Sequence, residues 1–102
     1  MNLKEKINHI TLETIVQRDP EQEFSFIDDE IVMLSLKKGH YFTLNPVASK
    51  IWGYLEKPIR VEDLIGKLLT EYNVEIEECR EDTLECIMDL EQKSLLKKIF
   101  DA

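Results

Sequence analysis

A chain of 102 residues, 43% of them hydrophobic, is long enough to bury one core and too short for two, so we expect a single domain over residues 1–102. The 21 acidic and 13 basic residues give a formal net charge of −8, which disfavours nucleic acid and anionic membrane surfaces as partners. The chain has no apolar run of about 18 residues and no signal-peptide pattern, so the sequence predicts a cytoplasmic protein without a membrane segment.

The first part of the chain is predicted to be a flexible end followed by an extended segment. Residues 1–9 are mostly polar, and we expect them to be flexible. Apolar residues at Ile10, Leu12 and Val16 then alternate with polar ones, which is typical of a strand, and the pattern ends at Pro20. We expect this segment to lie at the edge of a sheet.

A three-stranded antiparallel meander is predicted next. Residues 24–27 read as a short strand, and two aspartates follow as a turn. Residues 30–36 form a nearly continuous apolar run, which predicts a strand covered on both faces. Gly39 suits the following tight reversal, since glycine tolerates a positive φ, and residues 41–44 return as the third strand.

Three helices are predicted after the meander. Asn45 is a favoured N-cap residue and Pro46 a favoured first helical residue, so the first helix is expected over residues 46–56. Apolar residues spaced three and four apart predict a second helix over residues 61–72, and a third from residue 79 or 80 to 93. The predicted fold class is therefore α+β, a three-stranded antiparallel meander followed by three α-helices.

The sequence offers little for metal binding or catalysis. Cys79 and Cys86 are separated by six residues, and His9 and His40 lie in distant segments, so no metal-ligand spacing occurs. No Gly-x-Ser-x-Gly motif is present, and His40 falls in a predicted turn. We therefore expect no metal, no cofactor and no enzymatic activity, with a cysteine-dependent enzyme as the alternative to be tested.

A winged-helix DNA-binding regulator is a second alternative, because a meander and three helices also fit that class. Its recognition helix should be basic, since it meets phosphates. Residues 80–93 instead contain five acids and two bases. The charges therefore argue against nucleic acid as the partner.

The third predicted helix has two neighbouring apolar stripes. The stripe expected to face the core consists of Cys79, Thr83, Cys86, Ile87 and Leu90. Leu84, Met88 and Leu95 form the second stripe, and together the two span roughly 200° of the helix surface, more than packing on one core requires. Either the first helix or residues 96–100 cover the second stripe, or it lines an open groove for a ligand.

The third predicted strand offers a site for peptide binding. If residues 41–44 form a sheet edge, their unpaired backbone groups can accept an added strand. The second stripe of the third helix would then select side chains, and Glu81 or Glu85 could select a basic residue. The residues themselves thus favour a peptide-binding protein.

The sequence also resembles a known family, the PqqD-like proteins, or RiPP recognition elements. The resemblance is densest in Asp-Glu-Ile-Val-Met-Leu (29–34), Gly-His-Tyr-Phe-Thr-Leu-Asn (39–45), Ala48 and Ile51-Trp52. Residues 61–72 and 82–96 keep the family's spacing, so the resemblance covers about residues 15–96. One departure is Ser94, which stands where many members have glycine.

This resemblance implies a winged helix-turn-helix-like domain that binds the leader of a ribosomally made precursor peptide as an added strand. The leader would lie between the third strand and the third helix. Members are non-catalytic and present the precursor to an enzyme. A free-standing member of this length is most similar to the proteins of lasso-peptide biosynthesis, whose partner is a leader peptidase, and a radical SAM peptide-modifying enzyme is the alternative partner.

The predicted site combines this implied position with the edge and the stripe. The backbone contacts to the leader are expected from Tyr41, Phe42, Thr43 and Leu44. The side-chain groove is expected to be lined by Leu84, Glu85, Ile87, Met88 and Glu91. Ile87 equally fits the core stripe.

Overall fold

A computed structural model describes residues 10–99, so the predicted flexibility of residues 1–9 lies outside the described part. The elements, in chain order, are β1 (Ile15–Arg18), β2 (Ser25–Ile27), β3 (Glu30–Ser35), β4 (His40–Leu44), α1 (Pro46–Tyr54), β5 (Ile59–Arg60), α2 (Val61–Glu71), α3 (Ile76–Gln92) and β6 (Leu96–Ile99). The predicted order of a meander followed by three helices is confirmed. None of these helices is both long and apolar enough to cross a membrane.

The meander is an antiparallel sheet with the strand order β2-β3-β4. Its first turn has Asp28 at a φ of 58°, a left-handed conformation that aspartate tolerates better than most residues. Its second turn has Gly39 at a φ of 71°, and the Gly39 N–H donates to the Ser35 carbonyl at 2.8 Å. Both reversals therefore lie where the sequence predicts them.

A second antiparallel sheet, with the strand order β5-β1-β6, corrects the prediction of a single meander. The extended segment predicted from Ile10 is a strand only in β1, because a turn joins Thr11 and Thr14. Residues 96–99, considered only as a helix cover, form β6 and pair along all of β1. These strands are short, and β1 pairs with segments that are far away in the sequence, so no local pattern identifies them.

The two sheets and the three helices share one hydrophobic core. Val16 of β1, Ile31 of β3, Trp52 of α1 and Leu64 of α2 each have no exposed surface, and all belong to the same cluster. Burial of such side chains stabilises a fold by roughly 1.5–3 kcal/mol each. The core therefore fixes the meander against the helices.

Arg18 strengthens the junction between β1 and α1. Its guanidinium lies 4.9 Å from the Phe24 ring centroid and 5.4 Å from that of Trp52, both within the range of cation–π contact. It also donates to the Trp52 carbonyl at 3.0 Å and lies 3.6 Å from the Glu56 carboxylate. This side chain thus connects β1 to the end of α1 and to Phe24, the residue before β2.

The start of α1 is fixed to the meander by two polar side chains. The Asn45 side chain accepts the Ala48 N–H at 2.8 Å, which confirms the predicted N-cap. The buried Ser49 hydroxyl accepts the Ile31 N–H and donates to the Leu44 carbonyl, each at 3.0 Å. Because Pro46 follows the cap directly, β4 ends at Leu44 and α1 begins two residues later.

The third helix begins at Ile76, three or four residues before the predicted start, and ends at Gln92. Ser94 then adopts a φ of 61°. Its N–H donates to the Glu91 carbonyl at 2.9 Å, and the Leu95 N–H donates to the Leu90 carbonyl at 3.0 Å. This pair of bonds is a Schellman motif, which normally places glycine at the left-handed position.

Candidate functional site

The strand β4 lies at an open edge of the meander. One side of β4 pairs with β3, from Ile31 opposite Leu44 to Ser35 opposite His40. Its other side pairs with no strand among residues 10–99. The backbone N–H and C=O groups on that side are therefore available to an added strand.

Side chains along β4 alternate between the core and solvent. Leu44 is buried and Phe42 is half-buried against the core, whereas Thr43 is exposed and Tyr41 is 73% exposed. This alternation holds the strand to the core through one face only.

A groove of about 720 Å³ continues from the end of β4. One wall is Asn45 and the first turns of α1, with Val47 46% exposed. Tyr72 and Val74, which follow α2, also line the groove. The opposite wall is α3, so the groove runs between the first and third helices.

The α3 wall of the groove is part apolar and part acidic. Its exposed residues are Asp82, Glu85, Met88, Asp89 and Gln92, with half-buried Cys86 between them. These positions are three or four apart and therefore share one side of the helix. The groove can take an apolar side chain beside a polar or basic one.

Lys93 connects this wall to β4. Its ammonium lies 5.2 Å from the Phe42 ring centroid and 2.5 Å from the Asp89 carboxylate, one turn earlier on α3. The carboxyl end of α3 thus lies beside the middle of β4. The open edge of β4 therefore lies next to the groove, which Asn45 and Asp89 line.

The structure places only part of the predicted groove residues on this surface. Glu85 and Met88 line the groove, and Met88 is 42% exposed. Leu84 is half-buried against the core, Ile87 is fully buried, and Glu91 lies 3.5 Å from Lys98 of β6. Leu84, Ile87 and Glu91 do not line the groove.

The remaining groove residues were not predicted. They include Val47 and Tyr72, which reach the groove from outside α3, and Cys86, which was assigned to the core stripe. The polar residues Asp82, Asp89 and Gln92 also line the groove and were not among the predicted site residues. Their helical spacing with Glu85 indicates that these residues share one side of α3. The sequence does not show that α1 lies opposite this side, and without that position the groove cannot be predicted.

Cys86 lines the groove, and its surroundings shift the pKa of its thiol. The pKa of the Cys86 thiol is raised to about 11, first by burial and then by the negative charges of Asp89 and Glu85, while the positive charge of Lys93 acts in the opposite direction. The thiol therefore keeps its proton at neutral pH, a state in which it is a weak nucleophile. Among residues 10–99, no three His, Cys, Asp or Glu side chains are grouped to hold a metal ion.

Two comparisons with known proteins found a match. The structure is similar to a solved structure of TbiB1 in complex with the TbiA(beta) leader peptide, with a TM-score of 0.73 and 33% sequence identity, covering 83% of this chain and 99% of that chain. No curated protein matches the sequence. Residues 30–96 match the family model of PqqD, coenzyme PQQ synthesis protein D. Because this match spans well over half of the 102 residues, the chain belongs to the PqqD family, as residues 29–52 predict.

Proposed function

We propose that this protein binds the leader of a ribosomally synthesised precursor peptide as a strand added to β4. The observation that carries the proposal is that the open β4 edge lies next to the groove along α3. Backbone hydrogen bonds at the edge would supply affinity for any extended segment. The groove would supply selectivity, because it accepts the side chains of the same segment.

The similarity to TbiB1 supports the peptide as ligand. That protein was solved with a leader peptide, and it shares 33% identity over 83% of this chain. In this chain, the backbone of residues 41–44 would pair with the leader, and Glu85 and Met88 would contact its side chains. Leu84, Ile87 and Glu91 would act indirectly, by holding α3 against the core and β6.

The protein would act without catalysis, as an escort for the precursor. A partner enzyme would then modify or cleave the bound peptide, with a lasso-type leader peptidase as the first proposal and a radical SAM peptide-modifying enzyme as the alternative. Strand addition suits this role, because it holds the leader extended and leaves the rest of the precursor free.

The proposed fold is of the winged helix-turn-helix type and forms a single domain. The connection between α2 and α3 is only residues 72–75, which supports a helix-turn-helix pair, and the β3-β4 hairpin beside it would be the wing. One core cluster contains residues of both sheets and all three helices, which supports the single domain.

The binding proposal is tested by titration with a synthetic leader of the precursor encoded beside this gene. We expect a micromolar or tighter complex, measured by calorimetry, and shifts in the amide NMR signals of residues 41–44 and of the α3 wall. A scrambled peptide of the same composition and charge is the control. Equal binding of the two peptides, or unchanged signals at residues 41–44, would contradict strand addition at β4.

A further inference from the structure

The groove has a one-sided charge that restricts which leader it can accept. Three carboxylates line it, from Asp82, Glu85 and Asp89, and no lysine or arginine among residues 10–99 lines it. Opposite these carboxylates are Val47, Ile51 and other apolar groups of α1 and α2. A peptide in the groove therefore meets apolar surface on one side and negative charge on the other.

The three carboxylates are not equivalent. Asp89 is paired with Lys93, whose ammonium also lies on the Phe42 ring. Asp82 and Glu85 are exposed and make no ion pair within residues 10–99. They lie one turn apart on the same side of α3, so one cation between them would interact with both.

The thiol of Cys86 supports a negative potential at this place. Its raised pKa of about 11 is due first to burial, and then to the negative charges of Asp89 and Glu85. The negative charges of Asp89 and Glu85 would also favour a cation held at the lip of the groove, whereas burial disfavours a cation just as it disfavours a thiolate.

We infer that Asp82 and Glu85 are specificity residues that select a lysine or arginine in the leader, beside the apolar residue that enters the groove at Met88. This inference rests on the proposed binding of a leader at β4. A leader with Asp or Glu at that position is rejected, because two unpaired carboxylates would face a third.

The geometry also gives the position of the basic residue. From Lys93, beside Phe42, the helix rises about 12 to 16 Å to Glu85 and Asp82 at about 1.5 Å per residue. An extended peptide covers this distance in about four or five residues, at about 3.3 Å each. For a leader that follows α3 from Phe42, the basic side chain lies about four or five residues from the leader residue opposite Phe42.

The test uses the full chain and a phage-displayed library of random peptides long enough to span β4 and the groove. Selected peptides are synthesised, and those that shift the amide signals of residues 41–44 are kept as probes. We expect these probes to share a Lys or Arg at one position next to an apolar residue. Replacing that basic residue by Gln should weaken binding about fivefold, and Glu should weaken it further.

Two double variants separate local selection from the overall charge. Asp82→Asn with Glu85→Gln removes the unpaired groove carboxylates, and Glu62→Gln with Asp63→Asn removes two exposed carboxylates at the start of α2, outside the groove. Each double variant removes two negative charges, from −8 to −6. The groove variant should bind the Lys and Gln probes within about twofold of each other, whereas the control keeps the fivefold preference.

The outcomes separate this inference from the proposed function. If no selected peptide shifts the signals of residues 41–44, strand addition at β4 is wrong, and the inference fails with it. If peptides do shift those signals but share no basic residue, only the selection of a cation is wrong. The same conclusion follows if both double variants lose the preference equally, because the preference would then come from the net charge.

Discussion

The two sides of α3 differ in what covers them. On one side, Met88 and Glu85 face the open groove. On the other side, β6 packs against the helix, Leu95 is fully buried, and Glu91 is within 3.5 Å of Lys98. Both sides carry apolar and acidic residues at helical spacing. The difference therefore comes from β6 and not from the pattern of α3 itself.

The largest expected effect is at the core face between these two sides. Ile87→Ala should lower the free energy of unfolding by about 2–4 kcal/mol, because Ile87 is fully buried and its truncation leaves a cavity in the core. Urea unfolding followed by the fluorescence of Trp52, the single tryptophan, measures the change. A loss below about 1 kcal/mol would show that Ile87 is not part of the core.

On the groove side of α3, a substitution should change the affinity for the leader and leave the stability of the fold nearly unchanged. Met88→Glu adds a negative charge to a groove that already has three carboxylates, so leader affinity should fall at least about tenfold. Because Met88 is 42% exposed, the free energy of unfolding should change by no more than about 0.5 kcal/mol. Calorimetry with the leader and urea unfolding give the two numbers. Unfolding of the variant would show that Met88 belongs to the core, which removes the contrast between the two sides.

On the β6 side of α3, a substitution should lower the stability of the fold and leave the affinity for the leader unchanged. Glu91→Gln removes the carboxylate that lies near Lys98, where both side chains are mostly buried, at 22% and 16% exposure. We expect a loss of about 1 kcal/mol in the free energy of unfolding and no change in leader affinity. Glu85→Gln is the matched variant on the open side, since it removes the same group from the groove at little cost to stability. If Glu91→Gln weakens binding as much as Glu85→Gln, Glu91 contacts the leader.

The sequence predicts the parts of this molecule that are built from local signals. Asn45 and Pro46 mark the start of α1, and Gly39 marks the reversal before β4, because each residue fits its backbone conformation by its own chemistry. The second sheet has no such signal. Its strand β1 pairs with β6, about 80 residues away along the chain, and four-residue strands carry too few positions to show alternation.

The candidate site likewise has one part that the sequence predicts and one part that it does not. The open edge at residues 41–44 follows from strand order and was predicted, whereas the groove side of α3 depends on where β6 lies. Without β6, Glu91 and Glu85 are equivalent acidic residues on a helix surface. The sequence could therefore place the site on α3, but it could not choose between the two sides of the helix.

The smallest expected effect is a gain in stability at the end of α3, where the chain turns from the groove side toward β6. Ser94 has a φ of 61° in a Schellman motif, a conformation that costs a residue with a Cβ atom more than it costs glycine. Ser94→Gly should therefore raise the free energy of unfolding by about 0.5 kcal/mol, after part of the gain is lost to the greater freedom of glycine in the unfolded chain. Ser94→Ala is the control, because it removes the hydroxyl and keeps the Cβ atom. If Ser94→Gly lowers stability while Ser94→Ala does not, backbone entropy outweighs the relief of strain at this turn.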